Sequence, residues 1–296
     1  MGSSKRVLLT GGSGFVGKNL REQLESLYVL SFPTSRELNL LDEAQTAAYF
    51  SSHHFDVVIH AAGTGINRAQ KDQPGIFENN TKMFLNLVAN RSLFDRLISL
   101  GSGAEYDKSR PLVRVKESEF GQSRPNDEYG RAKYFISEQI KKYPRMACLR
   151  CFGVFGKYED YATRFISNAI CRSLGGLPIV MGQNRVFDYL YINDLIKIIY
   201  LFIDKPPEEK FINMGRGDGV ELLTLAKIIQ AATGNRSEIQ IKNPGLGREY
   251  TCDNSLLMNE LPGFAFTTFE QAINEMVAWY KENWHIIDQS KLNFDV

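Results

Sequence analysis

Neither sign of charge is in excess in this 296-residue chain. Lys and Arg number 35 against 34 Asp and Glu, a formal net of +1, and no basic block stands out. An electrostatic surface for nucleic acid is therefore not expected. No apolar run reaches the roughly 20 residues of a membrane span, and Met1-Gly-Ser-Ser-Lys-Arg6 leads directly into an apolar strand without the apolar centre of a secretion signal. The expected setting is the cytoplasm, with no membrane partner. Cysteine is scarce, at four residues. Cys148 and Cys151 form a Cys-x-x-Cys, yet they lie in Arg145-Met-Ala-Cys-Leu-Arg-Cys-Phe152, which reads as a buried strand. Residues three apart on a strand point to opposite faces, so the two are expected to pack rather than to share a disulfide or a metal. Cys171 and Cys252 have no evident partner and the four histidines are not at ligand spacings, so no metal is expected. Internal repeats and low-complexity tracts are also missing.

What is present begins at the N-terminus. Lys5-Arg-Val-Leu-Leu-Thr10 reads as a short buried strand that runs into Gly11-Gly-Ser-Gly14-Phe-Val-Gly17 and then into a helical pattern over 16–27. A strand, a GxxGxxG turn and a helix put backbone N–H groups and a positive helix end where a pyrophosphate can sit. Further on, Tyr129-Gly-Arg-Ala-Lys133 sets a tyrosine four residues before a lysine. On a helix the two share a face, so the ammonium favours the phenolate and makes a proton donor suited to neutral pH. Alone, either motif is weak; their order in one chain carries the weight.

With 43% apolar residues the chain can build a large core. Strand-like runs at 7–10, 28–32, 57–60, 96–100 and 146–152 alternate with helical patterns at 16–27, 43–51, 77–90 and 129–142. This alternation predicts the α/β class, as a Rossmann-type doubly wound parallel sheet. After residue 153 the order degrades into segments at 164–173, 186–192, 194–203, 222–233 and 268–283, which predicts a smaller mixed C-terminal substrate domain over the carboxyl edge of the sheet. The expected division is 1–152, with 184–210 returning to it, for dinucleotide binding, and 153–183 with 211–296 for substrate.

The same residues carry a resemblance. Gly11, Gly14, Gly17, Tyr129 and Lys133 are joined by Val58-Ile-His-Ala-Ala-Gly63, Asn80 and Pro125-Asn-Asp-Glu-Tyr129. Leu149-Arg150 with Val154-Phe155-Gly156, Asp188-Tyr-Leu-Tyr-Ile-Asn-Asp194 and 269–280 complete it. Nearly end to end, the chain resembles the extended short-chain dehydrogenase/reductase family, in its NAD-dependent epimerase/dehydratase group acting on nucleotide sugars. The resemblance implies that Ser102 holds a sugar oxygen, that Tyr129 protonates it as hydride reaches carbon, and that Lys133 holds the nicotinamide ribose. It further implies cofactor contacts from Gly11, Ser13, Gly14, Phe15, Val16 and Gly17, from Arg36, Asn39 and Leu40, from Ala61, Ala62 and Gly63, and from Asn80, Tyr129 and Lys133. Substrate contacts are expected from Ser102, Gly103, Ala104, Tyr158, Asn168, Arg185 and Arg248. Arg172 reads better as a surface residue. A nucleotide-diphosphate sugar is the implied partner, and a homodimer through a four-helix bundle of 77–90 and 129–142 is the implied assembly.

Departures from the family pattern narrow the reaction. No acid ends the second strand, where NAD-specific relatives keep one for the ribose hydroxyls; Arg36 follows instead, as in the GDP-fucose synthase branch, and is suited to a 2′-phosphate. This favours NADP(H) over NAD and net reduction over recycling, with a solvated loop cation as the other reading of Arg36. Gly103 and Ala104 stand where dehydratases carry an acid pair, Glu105 falls one residue away and is expected to point elsewhere, and Ala104 and Tyr158 stand where epimerising reductases carry Cys and His. The expected activity is NADPH-dependent reduction of an NDP-4-keto-6-deoxyhexose to an NDP-6-deoxyhexose for surface polysaccharide. A 4-epimerase with tightly bound NAD and a non-catalytic NADP-sensing protein are the alternatives. Phe187 replaces the family arginine before Asp188-Tyr, and Gly153 replaces the Asn before its Val-Tyr-Gly motif.

Overall fold

The structure is a computed structural model that describes residues 4–65 and 73–293. In chain order the first half holds β1 (Arg6–Thr10), α1 (Phe15–Leu24), β2 (Val29–Ser31), α2 (Glu43–Ser51), β3 (Phe55–His60), α3 (Ile76–Ala89), β4 (Phe94–Ser102), β5 (Leu112–Val115), α4 (Glu128–Ile140) and β6 (Met146–Cys151). The second holds β7 (Gly153–Phe155), α5 (Phe165–Leu174), β8 (Ile179–Asn184), β9 (Val186–Phe187), β10 (Tyr189–Tyr191), α6 (Ile192–Asp204), β11 (Phe211–Met214), β12 (Val220–Glu221), α7 (Leu222–Thr233), β13 (Ile239–Leu246), β14 (Tyr250–Cys252), α8 (Ser255–Glu260) and α9 (Phe269–Glu282).

Six strands form one parallel sheet in the order β2-β1-β3-β4-β6-β11. Val7, Leu8 and Leu9 on β1 and Val57, Val58 and Ile59 on β3 are all fully buried, as expected of central strands covered on both faces. One face packs on α1 and α6, through Val7, Leu9, Leu20, Ile59 and Ile199. The other packs on α2, α3 and α4, through Leu8, Phe50, Val58, Phe84, Leu87, Ile136 and Ile140. Polar capping fixes where two of these helices begin: the Asp42 carboxylate accepts the Gln45 N–H at 2.9 Å, and that of Asp127 accepts the Gly130 N–H at 2.8 Å. On the outside of α3 and α4, Phe77 meets Phe135 edge to face at 5.9 Å and Leu85 is exposed.

Chain order reverses direction across the sheet at β1, with β2 on one side and β3 on the other. The carboxyl ends of β1 and β3 therefore bound the crevice where open parallel sheets bind ligands.

The expected boundary at residue 210 moves. β11 pairs in parallel with β6, Phe211 opposite Cys148 and Met214 opposite Cys151, so it extends the main sheet. β5 leaves that sheet and joins the strand order β12-β9-β14-β5. Moreover, one apolar core runs without a break from Val7 and Leu9 to Leu225 on α7 and Ile273 on α9, so the two parts are fused through it.

The four cysteines are free thiols. Cys148 lies in the core under α4 whereas Cys151 packs against the core of the opposite face, as strand alternation requires. Burial raises the Cys151 thiol to about 12, with Lys133 pulling the other way. Among the described residues no helix is long and apolar enough to cross a membrane.

Candidate active site

The glycine turn is built by contact as much as by flexibility. Gly11 has φ +75°, and a Cβ on it would stand 2.6 Å from the Ala62 backbone nitrogen, so only glycine lets the turn close on the loop after β3. A Cβ on Gly17 would collide with the Gly11 carbonyl, which welds the first turn of α1 to the end of β1. At the head of α1, Gly14 offers no side-chain cap, no acidic residue stands in the first turn, and a Cβ there would meet nothing nearer than the Gly11 oxygen at 3.4 Å. Ser13 and Gly14 are exposed, while Phe15 and Val16 are half-buried against the core. Open N–H groups at a helix N-terminus, at the switch point of the sheet, fit the diphosphate of a dinucleotide.

Around this cradle the expected contacts divide. Ala61, Ala62 and Gly63 form the half-buried loop against Gly11. Asn80 is committed within the protein: it is 2% exposed, its Oδ1 accepts the Thr64 N–H at 2.9 Å and its Nδ2 donates to the Thr64 and Ile76 carbonyls. It clamps the loop instead. Asn39 and Leu40 are likewise structural, since Asn39 Oδ1 accepts the Leu41 N–H and the Leu40 side chain is buried in the core under α2 and α3. Arg36 is exposed beyond β2 and meets no carboxylate among the described residues; the carboxylate of adjacent Glu37 is taken by the Thr34 N–H and hydroxyl.

Ser102, Tyr129 and Lys133 converge at the carboxyl end of β4. Ser102 is the last residue of β4 and caps a single 3₁₀ turn, Gly103–Glu105, its Oγ accepting the Ala104 N–H at 3.1 Å. Gly130, next to Tyr129, packs so tightly on this turn that a Cβ there would lie 2.6 Å from the Ala104 oxygen. Lys133 is 5% exposed, donates to the Leu100 carbonyl at 2.7 Å and sits 5.8 Å from the Tyr129 ring centroid. His60 cannot serve as a base, because burial, aided by Lys133, lowers it to about 3.

Glu105 points into the interior beneath the turn. Its carboxylate accepts the Ser102 N–H at 3.0 Å, the Ser137 hydroxyl at 2.5 Å and Arg150 Nε at 2.7 Å, and both charged partners are about 1% exposed. The Arg150 guanidinium lies against the rings of Phe120, Phe211 and Tyr106. This buried pair is the floor on which Ser102 rests.

On the substrate side three expectations are corrected. Tyr158 turns away from Ser102: its hydroxyl donates to Glu22 on α1 at 2.5 Å and its ring meets Trp279 on α9. Asn168 is 1% exposed and spends its Nδ2 on the Tyr161 and Ala162 carbonyls. Arg172 is not on the surface but buried, donating to the Pro178 and Leu292 carbonyls. Arg185 lies beside the stretch that carries Arg248. The Arg185 side chain lies across Gly247, whose Cβ would stand 2.7 Å from Arg185 Cγ, and the exposed Arg248 donates to the Ser109 carbonyl at 2.6 Å. Gly103 and Ala104 are both buried in the turn. One residue that motif reading passed over, Tyr250 on β14, also stands near the centre: its hydroxyl lies so close to Gly103 that a Cβ there would stand 2.3 Å from it. No spacing pattern links Tyr250 to Ser102; the pairing of β14 with β9 and β5 carries it there.

One buried carboxyl bears on pH. Burial raises Glu159 to about 7, against the opposing pulls of Arg164 and of the Ser167 hydroxyl, which donates at 2.6 Å. The folded state thus holds a proton that the unfolded chain releases from about pH 4.5, so stability falls as pH rises through that window toward 7 and is fully present only below it. Glu159→Gln is expected to match the wild type near pH 5 and to exceed it by about 2 kcal/mol at pH 8. Denaturant midpoints of both proteins at the two pH values check this; parallel pH profiles would refute it.

The model of the NAD dependent epimerase/dehydratase family matches residues 7–215. A GDP-L-fucose synthase of Azorhizobium caulinodans is 37% identical over 258 residues, covering 79% of this chain and 82% of that one. A GDP-L-colitose synthase of Yersinia pseudotuberculosis is 25% identical over 284 residues, covering 85% and 90%. In fold, the crystal structure of a GDP-L-fucose synthetase from Naegleria fowleri bound to NADP superimposes with a TM-score of 0.81 at 19% identity, covering 97% of each chain.

Proposed function

The chain belongs to the NAD-dependent epimerase/dehydratase family, and from that premise we propose that it uses NADPH to reduce the ketone of an NDP-4-keto-6-deoxyhexose, giving an NDP-6-deoxyhexose for surface polysaccharide. The family is one of NAD(P)-dependent nucleotide-sugar oxidoreductases, epimerases and dehydratases. The reduced nicotinamide would supply hydride to the ketone carbon. Ser102 donates a hydrogen bond to the ketone oxygen, Tyr129 gives that oxygen its proton, and Lys133, with one N–H spent on Leu100, has donors left for the ribose hydroxyls. The α1 N-terminus would hold the diphosphate of the dinucleotide, and Arg185 with Arg248 that of the sugar nucleotide.

The observation that carries the reading is the fate of two positions. Where epimerising reductases of this resemblance keep an acid and a base, the chain has Ala104, buried in the turn, and Tyr158, bonded to Glu22. Ala104 has no acid–base group, and the Tyr158 hydroxyl is committed to Glu22. Similarity to GDP-L-fucose and GDP-L-colitose synthases supports a guanosine diphosphate carrier. The test is loss of NADPH absorbance with GDP-, dTDP- and CDP-4-keto-6-deoxyhexoses: consumption with one supports the reading. No consumption, together with interconversion of NDP-hexoses without added reductant, overturns it in favour of a 4-epimerase holding NAD, which needs the same three residues.

Cofactor choice has its own test. If Arg36 pairs with a 2′-phosphate, Arg36→Ala loses a charge-assisted pair worth about 1.5–3 kcal/mol. The KM for NADPH is then expected to rise roughly ten- to hundredfold, at tenfold per 1.4 kcal/mol, with the KM for NADH unchanged. Equal shifts for both cofactors would make Arg36 a solvated cation.

A further inference from the structure

A row of aromatic rings starts beside the turn that carries Ser102. Phe152 follows Cys151, which pairs with Ser102 across β4 and β6, and its ring would stand 2.9 Å from a Cβ on Gly103. The Tyr250 hydroxyl meets the same point from β14, so close that this Cβ would overlap it. The Tyr250 ring packs on Phe152 at 4.9 Å between centroids. It also packs on Phe187 at 5.8 Å, because β14 lies beside β9 with Tyr250 opposite Phe187. Phe152 is 4% exposed, whereas Tyr250 and Phe187 are half-buried and keep part of their surface open. Two residues before Phe187 comes the exposed Arg185, which lies against Gly247, the neighbour of Arg248. The row therefore leads from the hydroxyl assigned to the ketone to the cations assigned to the diphosphate.

In a 4-keto sugar nucleotide those two groups sit at opposite ends of one pyranose ring, the ketone at C4 and the diphosphate at C1. A sugar held at both ends has its ring between them, where Tyr250 and Phe187 stand. Resting on the ketoreductase reading above, we propose that Phe187 is a specificity-determining residue: with Tyr250 it forms the platform on which the C–H face of the sugar and its C6 methyl pack, and it selects a 6-deoxy sugar over one that carries a C6 hydroxyl. A phenyl ring has neither donor nor acceptor to offer. A methyl group gains by leaving water against it, while a hydroxyl placed there gives up its bonds to water and receives none in return. The electron-rich face of an aromatic ring also suits the C–H bonds of a sugar. No covalent bond forms or breaks at this residue.

Equilibrium binding in saturating NADP, read by titration calorimetry, tests this with two sets of ligands. One is GDP, GDP-mannose and GDP-6-deoxymannose; the other is dTDP, dTDP-glucose and dTDP-6-deoxyglucose. Within each set the two sugars differ only at C6, and the bare diphosphate carries no sugar. In the set that binds, the wild type is expected to hold the 6-deoxy sugar about tenfold more tightly than its hydroxylated counterpart. Phe187→Ala is expected to weaken the 6-deoxy sugar about tenfold, to bring the two sugars within about twofold of each other, and to leave the bare diphosphate within about twofold of the wild type. Phe187→Thr, whose branched side chain suits a strand, is expected to show the same collapse of preference and serves if the alanine variant fails to fold. Equal wild-type affinities for the two sugars would overturn the proposal. So would an unchanged preference in either folded variant, a loss for the bare diphosphate as large as that for the sugar, or binding of neither set. If the wild type consumes no NADPH with any 4-keto sugar nucleotide, the reductase reading fails, while the binding ratios still decide the role of Phe187.

Discussion

Tyr129→Phe is expected to lower turnover by about 10²- to 10⁴-fold, the usual worth of a positioned general acid, and to leave NADPH binding within about twofold. The change removes one oxygen and keeps the ring. Tyr129 stands in the first turn of α4, whose start is set by the Asp127 cap, and Gly130 beside it locks that turn to the Ser102 turn. None of these contacts uses the phenol oxygen, so the scaffold stays in place and only the proton is lost. Lys133 keeps its bond to the Leu100 carbonyl for the same reason. Turnover is followed at the reduced-nicotinamide band, and binding by titration of its fluorescence. Activity within tenfold of the wild type would mean that another group protonates the sugar oxygen. A collapse of NADPH binding would mean that the phenol holds cofactor rather than supplying a proton.

Arg150→Met is expected to cost about 3–5 kcal/mol of stability, the penalty for stranding one partner of a buried ion pair. At roughly 2–4 °C per kcal/mol for a chain of this size, the melting temperature falls by about 10 °C. Glu105 would be left in the interior, where among the described residues the Ser102 N–H, the Ser137 hydroxyl and the weak Cys148 thiol donor still face it. The aromatic faces of Phe120, Phe211 and Tyr106 would lose their cation at the same time. Replacing both charges, as Glu105→Leu with Arg150→Met, is expected to recover much of the loss, because two desolvation penalties vanish together. Turnover separates the two roles of the pair: Glu105 holds the Ser102 N–H, so the double variant regains stability and not kcat. Denaturant midpoints and kcat on the same preparations check both parts. A loss under about 1 kcal/mol for Arg150→Met would mean that water reaches the carboxylate and screens it.

Local patterns in the sequence reach far into this protein. Apolar strands over 7–10, 57–60 and 96–100, the glycine turn and the Tyr129–Lys133 spacing each depend on residues within one turn or one strand. Their meaning therefore survives without knowledge of what packs on them. β11 escaped such reading. Four residues, Phe211–Met214, carry too little periodicity to show that they pair with β6, and only the register with Cys148 to Cys151 assigns them to the main sheet.

The site divides in the same way. Strand and helix alternation by itself pointed to the α/β class, and the motifs carried the resemblance to the family and named Ser102, Tyr129 and Lys133 and the glycine turn as candidates, because those features are written in short stretches with fixed backbone geometry. The direction of single polar side chains was decided by tertiary structure alone. Asn80 turned to Thr64, Tyr158 to Glu22, Asn168 to the Tyr161 carbonyl and Glu105 to Arg150. A buried polar group must take whatever partner the fold brings within about 3 Å, and that partner lies anywhere in the chain. Tyr250 reached Gly103 across 147 residues for the same reason: strand pairing, which no local pattern encodes, carried it there.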